Sequence, residues 1–154
     1  MTRAGDDGQV VAGNWPELLS SGRSIVYPKG QRLFREGDDV ESVQLVRRGF
    51  VRICATGHGG ELFLGIRSPG WLLSAIPALL GIPQVATAVA VDDCEVSVLE
   101  IGRFHRLRED EPSVSGWVSA LLAREALEQK SRWARMAPKG TLAGMRWVIV
   151  EGRR

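Results

Sequence analysis

Between Ser68 and Gly102 the chain carries no Lys and no Arg, although the stretch is laid out like a cradle for a small anion. It opens with Gly70-Trp71 after a Ser-Pro turn, crosses a short apolar run, passes Gly81 and Pro83, and ends in a strand-like segment near Val96. Its polar points are Ser74, Gln84 and Thr87, set among Leu72, Leu73, Ile76, Leu79, Leu80 and Ile82. A buried phosphate calls for charge-assisted hydrogen bonds, best supplied by the bidentate fork of Arg. Backbone amides at a helix start add only a partial charge. The acids nearby in sequence, Asp92, Asp93, Glu95 and Glu100, are expected to repel an anion. These residue types suit a filled core or a small, weakly polar effector better than a phosphate.

The other side chains able to do chemistry are few. His58 lies in a glycine loop and His105 in Phe104-His105-Arg106; both read as surface positions, with haem ligation as the functional alternative. Cys54 and Cys94 stand alone, without the paired spacing of a zinc or iron–sulfur site, and are expected to be reduced and buried. Ser20 and Ser21 have no His near them in sequence to act as a base, and no glycine loop feeds a helix to hold a phosphate. A non-catalytic protein with neither metal nor required cofactor is the expectation.

A chain of 154 residues suits one ordinary domain with a single core. With 44% hydrophobic and 25% charged residues it has the composition of a soluble globular protein. No apolar run reaches the roughly 20 residues of a membrane span, and the first residues have no apolar signal core, so a cytoplasmic protein is expected. Charge is unevenly spread. Residues 1–122 hold 12 Lys/Arg against 15 Asp/Glu, whereas residues 123–154 hold 8 against 3. The body cannot draw nucleic acid by bulk charge; the C-terminal part could contribute a basic face.

Residues 1–13 are polar and glycine-rich and read as disordered. Asn14 is a candidate N-cap for a short helix through Trp15-Pro16-Glu17-Leu18-Leu19, ended by Gly22. From Arg23 to Leu99 short runs of β-formers alternate with turn residues, predicting strands at Ser24–Tyr27, Arg32–Arg35, Val43–Arg47, Phe50–Ala55, Leu62–Arg67, Val85–Val91 and Glu95–Glu100. Arg48-Gly49 reads as a tight hairpin and Gly57-His58-Gly59-Gly60 as a loop tip. Such spacing predicts an antiparallel sandwich or jelly roll, mainly β with flanking helices. Helical texture returns at Ile101–Arg108 and at Pro112–Met136, the latter starting after Glu109-Asp110-Glu111. In that long segment Val114, Val118, Leu122, Ala126, Gln129 and Trp133 recur at helical spacing, flanked by Trp117 and Leu121. The surplus apolar face suits a dimer seam; packing back on the barrel is the competing use.

The order of these parts resembles the sensor domain of the Crp/Fnr transcription-regulator superfamily. The segment 27–53, YPKGQRLFREGDDVESVQLVRRGFVRI, is similar to the first half of its cyclic-nucleotide-binding domain, with Gly30, Phe34, Gly37, Asp38 and Gly49 as the signs. The segment 86–107 resembles the later strands and the small helix after them, and the helix from Pro112 resembles the dimerisation helix. The resemblance implies a β-barrel sensor over 14–111, a dimerisation helix over 112–136, and a short basic and apolar tail at 137–154. That tail looks like the opening of a winged helix-turn-helix cut short, so specific DNA binding by these residues alone is not expected.

Binders of this family hold the cyclic phosphate with one Arg and the ribose with one Glu. The resemblance puts the Arg position at Gln84, with Val85, Ala86 and Thr87 following, and the Glu position at Ala75, with Ser74 where Gly is usual. The implied pocket is a degenerate phosphate cassette of Gly70, Leu72, Leu73, Ser74, Ala75, Ile76, Gln84, Val85, Ala86 and Thr87. Cyclic nucleotides are expected to bind at least ~100-fold more weakly than in a true binder, from lost charged hydrogen bonds. Arg67 or Arg48 could supply a cation from outside the stretch. The expected partners are a second copy or full-length relatives, with a small apolar effector and no membrane. The alternatives are a cyclic-nucleotide binder clamped from elsewhere, an effector-free interaction protein, and a haem gas sensor.

Overall fold

The computed structural model describes residues 16–136. The expectations for residues 1–13, for Asn14 and Trp15, and for the tail at 137–154 lie outside them. A 3-10 turn at Glu17–Ser20 replaces the expected first helix, with the Ser21 hydroxyl donating to the Leu18 carbonyl at 2.6 Å. There follow β1 (Arg23–Tyr27), β2 (Arg32–Phe34), β3 (Ser42–Arg48), β4 (Val51–Gly57), β5 (Gly60–Arg67), β6 (Leu72–Leu73), α1 (Ala75–Leu80), β7 (Thr87–Ala90), β8 (Cys94–Glu100), α2 (Ile101–Asp110) and α3 (Pro112–Met136). The chain divides into two compact units after Leu122, and the candidate site lies wholly within the first.

Two four-stranded antiparallel sheets, ordered β1-β8-β3-β6 and β2-β7-β4-β5, form the jelly roll. Neighbours in the sheets are mostly distant in sequence, as when Ser42–Val46 of β3 pair with Val96–Glu100 of β8. Glycine sets the corners. Gly49 turns β3 into β4 with φ +85°, and a Cβ there would stand 2.5 Å from the Asp93 carbonyl oxygen and 2.7 Å from the Cys94 Cβ. Only glycine fits both the left-handed backbone and the close approach.

Strand β3 shows how a period of two divides the core. Val43 and Leu45 face a cluster with Leu99 of β8, Phe104 of α2, and Val114, Trp117, Val118 and Leu121 of α3. Val46 faces the opposite way, into a cluster with Val51, Leu73, Ala88, Ala90, Cys94 and Val96 inside the barrel. Gln44 shares the Val46 face, so a carboxamide is delivered to the interior.

The expected strands differ from the observed ones mainly at their ends. The segment Val85–Val91 shortens to β7 at Thr87–Ala90, because Gln84 is bonded into the 37–38 turn ahead of the sheet. The two-residue β6 was hidden from periodicity by its length; it exists because Leu72 and Leu73 pair with Leu45 and Gln44.

Candidate functional site

Helix α1 is entered through Ser74, the one non-glycine residue with positive φ among the described residues (φ 72°, ψ 10°). A left-handed serine costs on the order of 1–2 kcal/mol relative to glycine. Its carbonyl accepts from Ala78 N at 3.1 Å, which opens the helix, and Gly81 closes it at φ 65°. Pro77 removes one amide from the first turn of this six-residue helix.

What the serine does with its side chain defines the site. Ser74 Oγ lies 2.9 Å from Gln44 Oε1 on β3, and Gln84 Nε2 donates to Ser74 Oγ at 2.9 Å. Ser74 Oγ is also 3.2 Å from Gln84 Oε1. A hydroxyl has one proton, so donation to Gln44 with acceptance from Gln84 satisfies both short contacts. Gln44 Nε2 donates in turn to the Ser42 carbonyl at 3.0 Å and to Ser42 Oγ at 2.8 Å. Gln44, Ser74 and Gln84 are only 8%, 9% and 5% exposed. The backbone of Gln84 is fixed as well: its N–H donates to the Asp38 carbonyl and its carbonyl accepts from Gly37 N, both at 2.8 Å. The polar centre is therefore buried, uncharged and internally bonded.

The remaining residues of the expected cassette spread outward from this centre. Gly70 makes a turn, donating from its N–H to the Val46 carbonyl at 2.7 Å. Leu72 joins the cluster beneath α2 and α3, while Leu73 joins the barrel interior. Ala75 and Ala86 are buried, whereas Ile76 and Val85 lie at the surface with Leu80 and Ile82. Thr87 is not drawn into the polar centre; its Oγ1 accepts from Glu36 N at 2.9 Å. The Glu36 carboxylate accepts from Thr56 N at 2.8 Å, joining the 35–38 turn to β4.

The acids that follow the cassette in sequence are each hydrogen-bonded within the chain. Asp92 Oδ1 accepts from Phe50 N at 2.8 Å and Asp93 Oδ1 from Lys29 N at 3.0 Å. Glu95 accepts from Ser24 Oγ at 2.7 Å and lies 3.7 Å from Arg48. Glu100 caps α2, accepting from Arg103 N at 2.9 Å. Of the two outside cations, Arg48 sits largely in solvent beside Glu95. Arg67 is only 3% exposed, its guanidinium 4.9 Å from the Trp71 ring centroid, and Nη1 donates to the Ile66 carbonyl at 3.3 Å.

His58 is exposed at the β4–β5 turn, and His105 Nδ1 lies 3.1 Å from Arg108 Nη2 on α2. Among the described residues no cluster of three metal-ligating side chains occurs. Both cysteines are free and buried. Burial pushes the Cys94 thiol up, and Asp92 and Asp93 push it further; burial also raises Cys54, despite Arg52 acting the other way.

On α3, Val114, Trp117, Val118 and Leu121 are buried in the chain's own core, and Leu122 packs half-buried against it. Ala126 and Leu127 are exposed and Gln129 is half-buried. The side chain of Trp133 lies outside those described. No helix among the described residues is long and apolar enough to cross a membrane.

The architecture is that of a jelly roll interrupted by a short helix between β6 and β7 and followed by two helices. Residues 24–111 match the cyclic nucleotide-binding domain, and the chain belongs to that family, among the Crp/Fnr-type regulators. It is 36% identical over 111 residues to the cyclic AMP receptor protein of Thermus thermophilus, covering 71% of this chain and 51% of that protein. The chain thus spans about half the length of that relative. The crystal structure of the Thermus thermophilus catabolite activator protein matches with a TM-score of 0.67 at 32% identity, over 80% of this chain and 61% of that one. The c-di-GMP-responsive regulator CLP of Xanthomonas campestris matches with a TM-score of 0.70 over 84% of this chain and 64% of that one. At 21% identity this last likeness bears on the fold alone.

Proposed function

We propose that the chain is the sensor and dimerisation part of a Crp/Fnr-type transcription regulator, non-catalytic and cytoplasmic, whose pocket does not bind cyclic AMP or cyclic GMP well. The observation that carries this reading is the neutral, buried Gln44–Ser74–Gln84 cluster at the place where the resemblance puts the phosphate clamp. A cyclic phosphate entering there would be desolvated without a counter-charge and would have to break carboxamide–hydroxyl bonds already made. Ala75, at the ribose position, has nothing with which to hold a hydroxyl. Homodimerisation through α3 is supported by Leu127, which remains 62% exposed while Val114, Val118 and Leu121 are buried. Any effector would be small and weakly polar. It would act only through a different affinity for two states of the domain.

A second reading, a cyclic-nucleotide binder, is favoured by the name of the 36% identical relative, a cyclic AMP receptor protein. It requires a cation at the cassette, and Arg67 would have to leave Trp71 to provide one. Calorimetric titration with cyclic AMP and cyclic GMP at near-physiological salt separates the two. No heat up to millimolar ligand is the expected result; micromolar binding overturns the proposal in favour of the second reading.

A further inference from the structure

Serine at position 74 does something that the usual glycine cannot. It accepts an unfavourable backbone conformation and in return places a hydroxyl between Gln44 on β3 and Gln84 ahead of β7. The chain separations are 30 residues on one side and 10 on the other. Through the backbone of Gln84 the link runs on to Asp38 and Gly37 in the turn after β2. Three parts of the barrel thus meet at one hydroxyl: the inner strand of one sheet, the start of α1, and the approach to β7 in the other sheet. An effector held in such a cassette would have to make this same connection, tying the helix start to the two sheets.

Resting on the reading above, we infer that the Gln44–Ser74–Gln84 bridge is an internal substitute for an effector. It fixes α1 against β3, so that the chain's own contacts favour one of the domain's two states, which any effector would have to outweigh. All three groups are buried, and Ser74 Oγ is bonded to both carboxamides, while Gln44 is held besides by Ser42. Losing the hydroxyl leaves two buried carboxamides short of a partner, which favours local opening of the cassette over the closed form.

The test is amide hydrogen exchange on the intact chain, comparing wild type with Ser74→Ala and Ser74→Gly. In both variants the amides of residues 75, 76, 78–82 and 84 are expected to exchange about tenfold faster or more, as loss of one to two buried hydrogen bonds implies. Amides of the β1–β8 pair are expected to keep their wild-type rates, which separates local opening from general unfolding. Ser74→Gly removes the hydroxyl while relieving the backbone, so faster exchange in that variant assigns the effect to the bridge. Unchanged or slower exchange at 75, 76 and 78–82 in Ser74→Gly overturns the inference, as does a uniform change across all amides. Either outcome leaves intact the reading of a pocket that does not bind cyclic nucleotides, which the titration tests separately.

Discussion

The turns over residues 27–53 and the cassette over residues 70–87 meet the same backbone demand in opposite ways. In the first region the left-handed positions are glycines: Gly30 at φ +87°, Gly37 at +92° and Gly49 at +85°. In the second, Gly70 and Gly81 obey that rule, but Ser74 sits at φ 72° with a side chain to accommodate. At Gly49 a Cβ would strike the backbone of Asp93, so the residue is dictated by shape. At position 74 the backbone favours glycine and the hydroxyl is bonded on both sides, so the residue is dictated by contact. The contrast separates what makes this a jelly roll from what its pocket does. Under the proposed function, the polar positions of the cassette depart together from the resemblance that the turns follow.

The largest effect on the folded domain belongs to the first region. Gly49→Ala should destabilise the domain by about 3 kcal/mol or more, combining the left-handed cost with steric overlap, as read from urea unfolding. A loss below about 1 kcal/mol would mean that the hairpin relaxes cheaply and that shape does not fix the residue. Next comes Leu127→Asp on the exposed part of α3. If that face is a dimer seam, the two copies bury two leucines, together about 3–6 kcal/mol, so the variant should dissociate at roughly 100- to 10,000-fold higher concentration. Light scattering checks this, and an unchanged dimer would remove Leu127 from the seam.

The smallest effect concerns the thiols. The folded values of Cys54 and Cys94 are raised by burial, so the folded protein holds these protons to higher pH than the unfolded chain does. Stability should therefore be unaffected by these groups below the ordinary thiol range and should decline as pH climbs through their raised values. Labelling by a thiol reagent at neutral pH should be slow and follow unfolding. Fast labelling of the native protein would show that one thiol is accessible.

Much of the fold was readable because β-formers and turn residues alternate plainly from Arg23 to Leu99; the bounds of Pro112–Met136 were readable from its acidic approach and helical period. Two features of the site were not. Gln44 lies 30 residues from Ser74, and only strand pairing brings it in, although a lone polar residue within Val43-Gln44-Leu45-Val46 was a signal that something inside must bond to it. Glu36 reaches Thr87 and Thr56 across the barrel, with no local pattern to announce either contact. Asp92, Asp93 and Glu95 likewise bond to Phe50, Lys29 and Ser24, partners that lie far from them in sequence. The absence of a cation from 68 to 102 was legible, since a missing residue type needs no geometry.

The central claim is that the pocket's polar centre is served by the chain's own carboxamides and not by a cyclic phosphate. Its most direct test is calorimetric titration of cyclic AMP into the wild-type chain beside the double variant Ala75→Glu/Gln84→Arg, which restores the two side-chain clamps that the resemblance implies. The account predicts no measurable binding by the wild type and a gain of at least ~100-fold by the variant, consistent with charged hydrogen bonds to a buried phosphate. Micromolar binding by the wild type, with no gain in the variant, would contradict it.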